Sequence, residues 1–359
     1  MDFNPAAFER IAIRATNWLG DAVMSLPAIR AIRQACPRAA IALVARPSVA
    51  ALYARESSID TVIPCPAPQS LGQRRAFAAS LRERRFDAAF LLPNSFDAAL
   101  TAWLARIPER IGYARDARSW LLSRAIPPPE PGDIPRHERF YYLELLRRAG
   151  LIERFPESSA IRLDSVPTAR ASGIARLREL GIEGAAIGVS PGAAYGNAKR
   201  WLPESFAESA GVVAGALGAS VLVFGSAAER ELCEAVAAAL RQRGVDTRNL
   251  AGATTLGEFI DLAAACRLYL TNDSGAMHVA SALAVPTVAI FGATDDSTTG
   301  PTGPLARVVR EHAECSPCLL RDCPIDHRCM TRVTTEKVAA VALELWEKTA
   351  HTWTHEAKS

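Results

Sequence analysis

A carboxamide, a carboxylate, two hydroxyls, a glycine and an imidazole crowd one short stretch, "TNDSGAMH", residues 271 to 278. The apolar Leu268, Tyr269 and Leu270 before it read as the end of a buried strand. The spacing of Met277, Val279, Ala280 and Leu283 after it reads as a helix. A helix N-terminus has free N–H groups and a partial positive charge, so Ser274 and Gly275 open a place where a diphosphate can sit. Asp273 can cap the helix or accept from a ligand hydroxyl, and His278 can donate to a phosphate oxygen. The plainer alternative is Asp or Ser as a cap and His as a core residue. Three more Gly-containing strand ends, at 189–201, 223–231 and 291–301, tip the balance toward a ligand site. In those, Gly192, Gly225 and Gly292 would let the backbone approach a ligand closely.

Lys199 follows the first of these Gly-rich ends and is one of four Lys, the others lying at 337 or later. In so Arg-rich a chain it hints at a compact phosphate contact, against the alternative of a solvated charge. Glu229, after "FGS", either opposes a helix dipole or binds a ribose diol. In the first half, "NWLGDAV" places Asp21 just after the first strand, as a helix cap or as a base. "FLLPNSF" repeats the scheme with Asn94 and Ser95, which could touch an acceptor.

Cys315, Cys318, Cys323 and Cys329 form a cluster of four thiols with His327 inside it. In a chain read as cytoplasmic, such spacing suggests a structural zinc before disulfides, with reduced thiols packing a loop as the rival.

These residues need a scaffold. Strands alternate with helices twice along 359 residues, once through "RIAIRAT" and "AAIALVAR" and again through "AAIGVS", "SVLVFGS", "RLYLTND" and "PTVAIFG". The expected class is α/β with two doubly wound, Rossmann-like domains. Their bounds are 1–160, a linker at 161–184, and 185–359, the last including the Cys-rich segment 315–329 and a final helix. The Pro-rich stretch 125–135 must be a loop. The apolar share is 49% and no apolar run is long enough for a membrane span, so a cytoplasmic protein without a transmembrane segment is expected. The first 150 residues hold 21 Arg and no Lys against 14 acids, a net +7; the rest carries −4. That asymmetry suits an anionic partner, although no nucleic-acid motif is present.

Taken in order, "NWLGDAVMSLPAIRAI", "LLPNSF", "RIGY", "PGAAYGNAKRW", "NLAG", "TNDSGAMHVASAL", "VAIFGATDDSTTGP" and "CSPCLLRDCPIDHRCM" resemble the lipopolysaccharide core heptosyltransferases of glycosyltransferase family 9. The resemblance implies a GT-B fold whose two domains face across a cleft, the first holding a lipid A–Kdo–heptose acceptor and the second ADP-heptose. It implies inverting transfer to the inner core, the second heptose onto the first, at the cytoplasmic face of the inner membrane and without a cofactor for the chemistry. It implies Asp21 as catalytic base; Ser190, Gly192 and Lys199 on the diphosphate side of the donor; Glu229 on the ribose; and Asp273, Ser274, Gly275 and His278 on diphosphate and heptose. A nucleotide-sugar epimerase of GT-B type is the alternative; a dehydrogenase lacks its G-x-G-x-x-G after the first strand.

Overall fold

The computed structural model describes residues 5–65, 67, 70–157 and 160–356, with the side chains of residues 6 and 350–356 excepted. The chain divides into two units between residues 158 and 159. These two residues precede the expected linker, 161–184, and lie outside the described residues.

In the first unit, β1 (Arg10–Arg14), β2 (Ala40–Ala45), β3 (Thr61–Pro64), β4 (Ala88–Leu91), β5 (Glu109–Tyr113) and β6 (Arg124–Ile126) pair in parallel in the order β3-β2-β1-β4-β5-β6. Helices α1 (Leu19–Ala35), α2 (Pro47–Tyr53), α3 (Leu71–Glu83), α4 (Phe96–Leu104) and α5 (Arg139–Arg148) cross between or cover the strands. Both faces of the sheet are covered, so β1, β2 and β4 read as near-continuous apolar runs. The strand order reverses between β1 and β4. That reversal opens a crevice at their carboxyl ends, where doubly wound sheets bind ligands.

The second unit repeats the plan. β7 (Ala186–Ser190), β8 (Ser220–Val223), β9 (Thr247–Asn249), β10 (Leu268–Asn272), β11 (Thr287–Ile290) and β12 (Ala306–Val309) pair in parallel as β12-β11-β10-β7-β8-β9. This is the same winding, with its reversal between β7 and β10. Its helices are α6 (Val166–Glu179), α7 (Pro203–Leu217), α8 (Arg230–Gln242), α9 (Leu256–Ala265), α10 (Gly275–Ala282), α11 (Asp296–Thr299), α12 (Arg328–Thr331) and α13 (Thr335–Glu356). Trp201 fills the core edge-on to Phe206 and donates its indole N–H to the Val333 carbonyl at 3.1 Å, which satisfies its only polar atom.

The expected linker, 161–184, is mostly helix and belongs to the second unit. Gly173 lets α6 lie directly on α9: a Cβ there would stand 1.9 Å from the Asp261 carbonyl oxygen. Arg176 then pairs with Glu258 at 3.1 Å and Asp261 at 3.4 Å. Of the Pro-rich stretch, Ala125 and Ile126 end β6, and the rest, 127–135, is a loop tied to α5 by Arg148, which meets Asp133 at 2.7 Å. Among the described residues, no helix is long and apolar enough to cross a membrane.

Candidate active site

The candidate residues cluster where the winding reverses. Asp21 follows β1, and Asn94 and Ser95 follow β4. In the second unit Ser190, Gly192 and Lys199 follow β7, whereas Asp273, Ser274, Gly275 and His278 follow β10.

In the second unit, Lys199 closes a short 3-10 turn, Asn197–Lys199. Its Nζ lies 2.6 Å from Asp273 Oδ2, and the pair is nearly buried, at 15% and 5% exposure. The ammonium also stands 5.2 Å from the Tyr195 ring centroid. Asp273 accepts a second bond from Thr294 Oγ1 at 2.6 Å, so the loop after β11 joins the same site. Beside it, buried Asn272 gives Nδ2 to the Pro191 carbonyl at 2.7 Å and takes the Trp201 N–H at 3.0 Å. One side chain thus clamps both ends of the loop that carries Lys199. Asn272, Thr294 and Tyr195 escaped sequence reasoning, since their partners lie about 20 to 80 positions away or across a loop. For Asn272 a signal existed: a buried carboxamide at a strand end must find partners.

Ser274 holds the N-cap position of α10 but makes no capping bond; its Oγ lies 3.2 Å from Thr271 Oγ1 instead. The first N–H groups of α10 are therefore left without a side-chain cap, next to a lysine. That combination suits a polyanion. His278, in the same helix, is buried. Gly192 and Glu229 meet: a Cβ on Gly192 would lie 2.1 Å from Glu229 Oε1. Glu229 uses Oε2 in a capping box, accepting from the Ser226 N–H at 2.9 Å and hydroxyl at 2.8 Å. Both roles considered for it are compatible, because each uses a different oxygen.

Ser190 differs from expectation. It is buried, and its hydroxyl lies 2.7 Å from the Tyr269 hydroxyl on the neighbouring strand. Burial holds the Tyr269 phenol well above its ordinary range, so this is a neutral pair inside the sheet.

The Cys-rich segment forms a wall of this site. Tyr195 donates to the Leu319 carbonyl at 3.1 Å, Ala198 N–H to the Arg321 carbonyl at 3.1 Å, and Cys323 N–H to Asn197 Oδ1 at 2.9 Å. Ser316 bonds the Gly292 carbonyl at 2.5 Å. Among the described residues, no group of three or more His, Cys, Asp or Glu is placed to hold a metal ion. As placed here, Cys315, Cys318, Cys323 and Cys329, the residues expected to hold zinc, do not make up such a group. Cys329 is buried, while Cys315 is exposed and the other two are half-buried. Burial pushes the Cys329 thiol up, and its three neighbouring cysteines push it further. The segment holds the Lys199 loop through backbone and amide bonds.

In the first unit, Asp21 is the third residue of α1, half-buried, behind a Trp18 N-cap that makes no side-chain bond. Burial, and then the Asp21 charge, raise the Glu138 carboxyl at the start of α5 to about 7. A second carboxyl beside the candidate base was missed because it lies far along the chain, after the Pro-rich loop. Asn94 and Ser95 already have internal work. Asn94 Nδ2 donates to the Tyr141 hydroxyl at 2.7 Å, and its Oδ1 accepts from Arg118 at 3.3 Å. Ser95 caps α4 by accepting the Ala98 N–H at 3.2 Å. Structural roles thus account for both side chains expected to touch an acceptor.

Residues 74–328 match the model of glycosyltransferase family 9 (heptosyltransferase). Lipopolysaccharide heptosyltransferase 2 of Salmonella typhimurium is 35% identical over 308 residues, covering 84% of this chain and 88% of that protein. Its namesake from Escherichia coli is 34% identical with the same coverage. The solved structure of E. coli ADP-heptose LPS heptosyltransferase II superposes with a TM-score of 0.80 at 30% identity, over 95% of this chain and 99% of that one.

Proposed function

The chain belongs to glycosyltransferase family 9, and from that membership we propose that it is a GT-B heptosyltransferase moving heptose from ADP-heptose to the lipopolysaccharide inner core, the second heptose onto the first. The observation that carries this is the Lys199–Asp273 pair beside the uncapped N-terminus of α10, at the reversal point of the second sheet. This is a place for a nucleotide diphosphate, and it lies within residues 74–328, which match the heptosyltransferase family model.

In this reading an acceptor hydroxyl attacks the anomeric carbon of the heptose, and the bond to the diphosphate oxygen breaks with inversion. A sugar hydroxyl is a poor nucleophile at neutral pH, so its proton must leave as the new bond forms. Asp21 takes that proton. The charge that develops on departing ADP is met by Lys199 and the N–H groups of α10. Asp273 holds Lys199 in place and Thr294 holds Asp273. Glu229 Oε1 and the backbone at Gly192 receive the ribose side, and His278 and Ser274 the phosphate and heptose. The step changes no oxidation state, so no redox cofactor enters it. The acceptor, lipid A–Kdo–heptose, places the reaction at the cytoplasmic face of the inner membrane, with the protein peripheral to it.

Product analysis with ADP-heptose tests the reading. Heptose should appear on a truncated core acceptor bearing one heptose, with release of ADP. Conversion of the sugar nucleotide without acceptor would instead support an epimerase, which the named relatives do not favour.

A further inference from the structure

The first unit carries a feature that the transfer chemistry does not use. A groove of about 770 Å³ lies along α3 and the C-terminal end of α4. Arg75, Ala78, Ala79 and Arg82 line it from one face of α3, at helical spacing. Trp103 and Arg106 line it from the other side. Arg75, Arg82 and Arg106 are exposed, and among the described residues none has a carboxylate partner; neighbouring Arg74, by contrast, is paired with Asp97 at 2.6 Å. Trp103 continues the groove into an aromatic patch. Its ring lies 6.4 Å from Trp120, which lies 6.2 Å from Phe96. The three are 45%, 66% and 41% exposed.

Single exposed apolar residues are ordinary, but three contiguous rings beside three unpaired guanidiniums mark a contact surface. We propose that this face docks the protein on a bilayer surface rich in anionic phospholipid headgroups. Indole and phenyl rings partition to the boundary between headgroups and acyl chains. Arginines gain from the negative surface potential and can rest their stems on apolar surface while the charge stays in the headgroup layer. The net +7 of the first 150 residues adds long-range attraction of the same sign. A single-stranded nucleic acid fits less well. Trp120 is tilted 55° to Phe96 and 66° to Trp103, so the rings offer no common platform for successive bases.

Vesicle co-sedimentation of the full chain, without nucleotide sugar or acceptor, tests this apart from the transfer reading. Vesicles would be phosphatidylcholine alone or mixed with phosphatidylglycerol, at low and high salt. Binding should require phosphatidylglycerol and weaken with salt. Arg75→Glu/Arg82→Glu/Arg106→Glu should lower partitioning by about a hundredfold or more, at roughly fivefold per arginine. Trp103→Ala/Trp120→Ala should lower it by at least about tenfold, in proportion to lost apolar burial. Melting temperatures check folding, and if the tryptophan variant misfolds the arginine variant decides alone. Indifference to phosphatidylglycerol, wild-type binding by a folded variant, or an equal loss on reversing exposed Arg178 of α6 overturns the proposal. So does tighter binding to an oligonucleotide than to the vesicles. A concentration-dependent dimer that the tryptophan variant abolishes while vesicle binding persists would also assign the patch elsewhere.

Discussion

Asp21 sits where two roles meet. At the third position of α1 its charge opposes the helix dipole, worth about 0.3–1 kcal/mol. As a base it would do far more. Asp21→Asn keeps the shape, so turnover should fall by about 10²–10⁴-fold while melting changes little. Single-turnover transfer with a parallel melting curve checks this; a normal rate would leave Asp21 a helix residue. Glu138 gives a pH signature. Its folded carboxyl titrates near 7 instead of its ordinary 4.5, so the folded state keeps a proton that the unfolded state has released. Stability from this group therefore declines as pH rises from about 4.5 to about 7 and is flat above. Relative to wild type, Glu138→Gln should gain stability across that window, as melting curves at several pH values would show.

Lys199→Ala should weaken ADP binding by about tenfold to a hundredfold, the worth of one charge-assisted bond. It also strands nearly buried Asp273, with a stability cost of up to about 3–5 kcal/mol. Adding Asp273→Ala should restore much of the stability but not the affinity. Calorimetric affinity and melting of both variants separate the two effects, and intact ADP binding in Lys199→Ala would remove the lysine from the donor site. Lys199 was legible from its rarity and Asp273 from its junction. Their pairing was not, because 74 residues separate them and only the β7–β10 neighbourhood brings them together.

At the scale of elements, strands with long apolar runs and flanking glycines were readable. β6 and β12 were not, since three or four residues at a sheet edge carry too little pattern. α6 was mistaken for linker because only Ala169, Gly173 and Leu177 are fully buried, too few for a legible apolar stripe. The Cys-rich segment was legible as a cluster, but its bracing of the Lys199 loop was not, because those bonds join it to residues more than 120 positions away. Asn197 is the hinge pin of that brace, accepting from Cys323 N–H and lying 3.3 Å from His327 Nε2. Asn197→Ala should therefore raise the KM for ADP-heptose several-fold, with kcat and melting nearly unchanged. Steady-state kinetics checks it; an unchanged KM would mean the loop holds Lys199 without the brace.

At the scale of the molecule, the chain winds the same six-stranded sheet twice and assigns each copy different chemistry. The first unit carries Asp21, Glu138 and the arginine-lined groove with its three exposed rings. The second carries the lysine and the uncapped helix. The parallel winding was implicit in the repeated alternation of elements, but the strand order was not, because a crossover can return to either side of a sheet.

That repetition makes the chain an assembly of exchangeable parts. If acceptor choice resides wholly before residue 158 and donor handling wholly after it, family members are combinations drawn from two separate stocks. Hybrids joined at that boundary, with the first half from this chain and the second from a relative that uses a different core acceptor, should glycosylate this chain's acceptor. The reciprocal hybrid should follow the other parent. Assaying both on the two parental acceptors decides the matter: a hybrid that follows the parent of its second half would show that recognition of the acceptor is written across the whole chain.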